Sequence, residues 1–207
     1  MFHPDLERSL FPNNLAAGLL VGLGWAAWQH RPYQAPALQS IWLAFAAFIP
    51  QIVVAYLPAT RHLLPDWLAS IALLISLTLF AVFAWRNRDL PGMPFLLAGL
   101  ALNLSVMVAN GGWMPISPQT ASRLIGKDVL GLMSVGSRIG QKDILLLSQN
   151  THFEFLADRF LLPDWIPYKV AFSLGDILVS LGIFWLLAHP SVKAKMPPKE
   201  RVHLDYI

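Results

Sequence analysis

Few residues in this chain have the type and spacing to do chemistry, and two acids lead them. Asp176 closes the run Phe172-Ser173-Leu174-Gly175-Asp176, which opens the last long apolar stretch. Asp158, followed by Arg159, lies a short way upstream. Two carboxylates that meet at a membrane rim can share a proton and activate a water. The same residues also have a purely structural reading. Ser173 and Asp176 have capping-box spacing, with Asp in place of the usual Glu or Gln, and an acid in the first turn suits the helix dipole.

A second group is Asn110-Gly111-Gly112-Trp113-Met114-Pro115, directly after an apolar stretch. Two glycines let the chain leave a helix through positive φ, and Pro115 keeps the helix from resuming. A glycine turn also exposes backbone N–H groups that can hold an anion or a carbonyl. Asn103, two turns earlier, extends a polar stripe toward the turn, which is expected to pack against the start of the last span. The alternative is a helix C-cap followed by an interfacial Trp.

Much other chemistry is excluded. The chain has no cysteine, so disulfides, thiolate nucleophiles and Cys-ligated metals are impossible. The six histidines show no metal-ligand spacing. No phosphate-loop, dinucleotide or serine-hydrolase fingerprint is present. No metal or cofactor is expected.

The elements that must position these residues are membrane helices. Of the 207 residues, 56% are hydrophobic and only 13% charged, where a soluble domain carries about 25% charged residues. The charges gather between long uncharged stretches, as expected when a charge in hydrocarbon costs about 2.5–3.5 kcal/mol. Residues 38–57, 67–85, 93–109 and 170–188 are each long enough to span a bilayer. Residues 14–28 are shorter and glycine-rich, able to span with Gln29 and His30 at one rim or to lie re-entrant, with a Gly18-x-x-x-Gly22 spacing that permits close helix approach. Acidic and basic residues precede this first run, so it is expected to be retained rather than cleaved as a signal peptide. The expected fold is therefore an all-α integral membrane protein with about five transmembrane helices. A small extracytoplasmic cap, residues 110–169, separates the fourth and fifth.

The net charge of +3 reflects Lys and Arg in loops flanking the membrane, so no nucleic acid is expected as a partner. Arg31, Arg86, Arg88, Lys193, Lys195, Lys199 and Arg201 fall on one side, against Arg8 and Arg61 on the other. This places the N-terminus outside and the basic tail, residues 189–207, in the cytoplasm. Trp28, Tyr33, Tyr56, Trp67, Trp85, Trp113, Trp165 and Tyr168 fall near span ends, where amphipathic rings sit at headgroup level. Within the cap, Asp143-Ile-Leu-Leu-Leu reads as a strand or a helical turn. Residues 153–162 read as a surface helix with Phe153, Leu156, Phe160 and Leu161 near one face.

At these motifs the chain resembles a family of uncharacterised bacterial multi-pass membrane proteins. That family is marked by Asn-Gly-Gly-x-Met-Pro after a span and Phe-Ser-x-Gly-Asp opening the last one. Here these are residues 110–115 and 172–176, with Leu156-Ala157-Asp158 between them. The resemblance implies a shared fold in the bacterial cytoplasmic membrane and no particular activity. A more distant, partial likeness is to lipoprotein signal peptidase, an intramembrane aspartyl peptidase whose last helix opens with Phe-Asn-x-Ala-Asp. That likeness implies catalytic roles for Asp176 and Asp158. Ser173 and Gly175 depart from its pattern, and its Gly-Asn-x-x-Asp-Arg motif is missing.

Three functions follow from these readings. The first is a non-enzymatic subunit or assembly component of a membrane complex, with lipid and other membrane subunits as partners. In it Asn103, Asn110, Gly111, Gly112, Met114, Pro115, Ser173 and Gly175 form a binding or structural motif. The alternative is an intramembrane aspartyl hydrolase using Asp158 and Asp176. A transporter is disfavoured, since only Gln51 and Asn103 are strongly polar inside spans.

Overall fold

The structure is a computed structural model that describes Gly24 and residues 36–56, 64–163, 165–166 and 169–188. The expected first span, apart from Gly24, and the basic tail lie outside the described residues.

Four apolar helices form one body. Helix α1 (Ile41–Gln51) runs into a π-helical turn, Ile52–Tyr56. Pro50 lies inside α1; lacking an N–H, it frees the helix from regular α pairing, and the wider π turn follows it. The long helix α2 (Asp66–Arg86) carries an acid in its first turn and a base in its last, matching its dipole. Helix α3 (Met93–Ala109) starts after Gly92, whose φ is +85°, with a proline in its first turn. The last helix of the chain's described part, Leu174–Ala188, packs against α3, and α1 packs against α2. Ser76 of α2 joins its neighbour by donating to the Ala47 carbonyl (2.6 Å) and accepting from the Gln51 amide (2.8 Å).

Helix α2 is long and apolar enough to cross a membrane; Ile41–Val54, Met93–Ala109 and Leu174–Ala188 are apolar but shorter. Large apolar side chains remain exposed on the outer faces, among them Trp42, Phe45 and Ile49 of α1 and Trp67, Ile75 and Trp85 of α2. The last helix begins at Leu174 rather than at residue 170, because Ala171–Phe172 is a strand.

The segment between α3 and the last helix is not all-α, which corrects the expected fold class. Strand β1 (Met114–Ile116) is followed by helices α4 (Pro118–Ile125) and α5 (Lys127–Leu130). Strands β2 (Arg138–Ile139) and β3 (Asp143–Leu145) form a hairpin, so the Asp143 run is a strand. Gly140, at φ +64°, makes its turn without the steric penalty of a side chain. Strand β3 also pairs in parallel with β1, giving the order β1-β3-β2. Strand β4 (Phe160–Leu161) pairs antiparallel with β5 (Ala171–Phe172), and helix α6 (Leu174–Ala188) follows β5. The expected surface helix over residues 153–162 does not form. A single 3₁₀ turn, Glu154–Leu156, stands there, and Phe160 leaves helical spacing to pair and stack with Phe172 at 5.7 Å. Ile116, Ala121, Ile139, Leu145 and Ala171 form the cap's own core.

The glycine turn after α3, expected against the start of the last span, has Gly112 and Trp113 packed on α2. Gly112 has φ +88°, and a Cβ there would lie 2.6 Å from Ser70 Cβ. Trp113 is buried beside Ala69 and Leu73 with the Arg138 guanidinium 4.3 Å above its ring, so it is not an interfacial Trp. Gly112→Val combines a disallowed φ with overpacking, and about 1–3 kcal/mol should be lost from the overpacking alone. The expected result is a lower melting temperature in detergent, whereas Gly111→Asn, at φ +72° in open space, should melt near wild type. Equal melting of the two variants would contradict this packing.

Candidate functional site

The start of α6 forms a reciprocal cap. The Ser173 N–H donates to Asp176 Oδ2 (3.1 Å), and the Asp176 N–H donates to Ser173 Oγ (3.1 Å). This is the capping box read from the sequence, with the acid one methylene shorter than usual. Asn103 of α3 joins it from across the helix pair. Its Nδ2 donates to Asp176 Oδ1 (2.8 Å), and its Oδ1 accepts from Ser173 Oγ (2.9 Å). Asn103, Ser173 and Asp176 are all buried.

The two helices come this close because glycines face each other. A Cβ on Gly175 would collide with Asn103 Oδ1 and lie 2.8 Å from the Gly99 carbonyl oxygen. A Cβ on Gly99 would lie 2.8 Å from Val179 N. Two turns away, a Cβ on Gly182 would lie 2.6 Å from Leu96 N and 2.8 Å from the Gly92 oxygen. Small residues at such crossings bring backbones together, and here they set Asn103 against Asp176.

The cap supplies the rest. Strand β1 holds the hairpin on one edge and Asp158 on the other: the Met114 N–H donates to the Lys142 carbonyl (2.9 Å), and the Asp158 N–H donates to the Pro115 carbonyl (3.1 Å). Pro115 lacks an N–H, but the Met114 N–H and the Ile116 carbonyl make the bonds toward the β3 side. Met114 and Pro115 are buried scaffold beneath the two residues they position. Lys142 Nζ then lies 3.0 Å from Asp158 Oδ2 and 3.1 Å from Asp176 Oδ2. The two acids singled out in the sequence therefore converge on one ammonium. Asp158 pairs with Lys142 and not with its neighbour Arg159.

Asn110, Gly111 and Gly112 stand apart from this cluster. The Asn110 side chain donates to the Val106 and His152 carbonyls and accepts from the His152 N–H, which ties the end of α3 to the cap. Lys142 and Asp143 are the residues that sequence reasoning missed. Lys142 ends the polar hairpin turn and Asp143 opens strand β3, and the only sign of their role is that they directly precede the apolar run.

Electrostatically the cap side of the site is crowded. Burial opposes the Lys142 ammonium, but Asp158, Asp176 and Asp143 together outweigh it and hold the lysine protonated above its ordinary range. Burial pushes Asp158 well above the ordinary carboxylate range although Lys142 pulls it down. Burial likewise pushes Asp143 up to about 6. Chemically the arrangement can bind and release protons and can fasten the cap to the helices. Among the described residues, no group of His, Asp or Glu is placed to hold a metal ion.

Comparison with known proteins gives a family without an activity. The chain is similar to an uncharacterized protein of Thermotoga maritima, 32% identical over 134 residues, which are 62% of this chain and 68% of the relative. No solved structure matches. Residues 36–188, which carry α1 through α6 and every residue of the Lys142 cluster, match the family of unknown function DUF5317, and the chain belongs to that family.

Proposed function

We propose that the chain is a multi-pass protein of the bacterial cytoplasmic membrane, a non-enzymatic subunit or assembly component whose extracytoplasmic cap binds a partner or lipid. Lipid is the partner of its helices, and other membrane subunits are the partners of its cap. The observation that carries the non-enzymatic reading is the place of Lys142 Nζ, 3.0 Å from Asp158 and 3.1 Å from Asp176. One ammonium between the two acids neutralises what a hydrolase would need to share a proton between them. Asp176 is further committed to donors from Asn103 and Ser173. The membrane reading is supported by apolar outer helix faces that carry exposed Trp42, Phe45, Trp67 and Trp85. It includes residues 14–28 as a fifth span. Arg86 and Arg88 lie at the end of α2 opposite the cap, which supports a cytoplasmic location for that end. Exposed Leu132, Val135, Phe153 and Phe155 on the cap support a binding role.

The convergence of Asp158 and Asp176 also favours a second reading, the intramembrane aspartyl hydrolase, in which Lys142 would have to withdraw for the acids to reach one water. The two are separated by Asp158→Asn and Asp176→Asn, each assayed for complementation of a deletion strain alongside its abundance in the membrane. On the non-enzymatic reading, complementation follows abundance for both variants. Loss of complementation by both at normal abundance would replace that reading with the hydrolase, since an amide cannot cycle the proton.

A further inference from the structure

Beside Lys142 two buried carboxyl groups, Asp143 and Asp158, lie within hydrogen-bond reach of each other. Asp143 Oδ1 and both oxygens of Asp158 have no hydrogen-bond partner among the described residues, although Lys142 Nζ is in ion-pair contact with Asp158. An ionised carboxylate only accepts hydrogen bonds, so two such groups in contact repel unless a proton lies between them. We infer that Asp143 and Asp158 form a proton-binding site that holds one proton at neutral pH, and that losing this proton loosens the seat of the cap on the helices. The inference goes beyond the proposed function and holds whether or not the protein is an enzyme.

Among the described residues, the charges around the pair do not neutralise it. From the hairpin, Lys142 contributes the only ammonium in contact with the cluster among the described residues, and it is shared with Asp176 of α6. Helix α3 contributes Asn103, which is uncharged and committed to Asp176 and Ser173. The other cation of the hairpin, Arg138, is held by Asp66 of α2 at 3.0 Å and by the Trp113 ring. Strands β1, β4 and β5 bring no charged residue. Three carboxyl groups thus face one ammonium, and Asp176 already has Asn103 and Ser173 as additional donors. The surplus negative charge falls on Asp143 and Asp158, which titrate as a pair. Burial raising both carboxyls agrees with this.

The sign of the pH dependence follows. An unfolded Asp titrates at about 3.9. With its affinity for protons raised in the folded state, the pair binds more protons folded than unfolded, so stability falls as pH rises through the folded titration. That loss starts above about pH 4 and takes in the Asp143 titration at about 6, and Asp158, raised by its burial, adds to it with the same sign.

The test uses the full chain in detergent, with two readouts: melting from about pH 5 to about pH 9, and the infrared C=O stretch of a neutral carboxylic acid. The wild type should show the neutral-acid band at neutral pH, lose it on alkalinisation, and melt lower as it is lost. Asp143→Asn keeps a bond in the pair, because its amide donates to Asp158. It should lack the band, melt with a flatter pH profile, and melt above wild type at the alkaline end. Absence of the band from wild type at neutral pH overturns the inference, as does an Asp143→Asn variant that keeps both the band and the slope. If Asp143→Asn does not accumulate, the wild-type band and its titration decide alone.

Discussion

Lys142→Met is expected to destabilise the protein more than any other single change in the cap. Methionine keeps the length and apolar stem of lysine and removes only the ammonium. Asp158 and Asp176, with side chains 0% and 5% exposed, would then face each other without their shared counter-ion. Removing one partner from a buried ion pair costs about 3–5 kcal/mol, because the remaining charge stays desolvated. Since globular stabilities are about 5–15 kcal/mol, the variant should accumulate poorly and melt far below wild type. The lysine side chain is 32% exposed, so water can reach part of it and the loss should fall toward the lower figure. Accumulation and melting equal to wild type would mean that the ammonium does not hold the site together.

The second large effect is expected at the helix pair. Gly182→Leu puts a Cβ within 2.6 Å of Leu96 N and 2.8 Å of the Gly92 oxygen, and both obstacles are backbone. Neither can rotate away, so α3 and α6 must separate. Overpacking typically costs about 1–3 kcal/mol and occasionally more, and here the separation also pulls Asn103 from Asp176. The expected outcome is loss of the folded protein from the membrane, measured by abundance and by protease resistance after extraction. A control is Gly126→Ala: Gly126 has φ +86° but no atom within 4 Å of its added Cβ, so the change should cause only modest strain. If Gly182→Leu tolerates extraction as well as Gly126→Ala does, the close crossing is wrong.

The helices were the legible part of the sequence. Residues 67–85 and 93–109 stand out because uncharged runs of that length have few other uses, and α2 and α3 match them closely. The last apolar helix is shorter than its apolar run because Val170-Ala171-Phe172 is as apolar as the helix it precedes, and hydropathy cannot tell a short buried strand from a helical turn. The same limit misplaced residues 153–162, where helical spacing of Phe153, Leu156 and Phe160 coincided with a strand paired to residues distant in sequence. Ser173 and Asp176 were legible because a capping box is local.

Lys142 was not legible, because what makes it important is tertiary. In sequence it is one polar residue of a hairpin turn, which usually means solvation. Only the pairing of β3 with β1 brings its ammonium between two acids from different parts of the chain. The glycines of the α3–α6 crossing had a readable signal: Gly92 and Gly99, and again Gly175 and Gly182, are two helical turns apart. That spacing points to facing stripes only once the two helices are known to be neighbours.

The claim that charge, rather than shape, fastens the cap to the helices is tested most directly by neutralising the whole latch. Lys142→Met alone leaves both of its ion-pair partners uncompensated, whereas Lys142→Met with Asp158→Asn and Asp176→Asn removes both and leaves Asp143 as the one acid of the cluster. After Asp176→Asn the amide oxygen can still accept from the Ser173 N–H, and Asn103 can turn its amide to accept from the new NH2 while donating to Ser173 Oγ. Neutralising a buried ion pair or triad as a whole is often tolerated, although breaking it on one side is not. The melting temperature of the triple variant should therefore recover most of what Lys142→Met loses. A triple variant melting no higher than Lys142→Met would contradict the ion-paired latch.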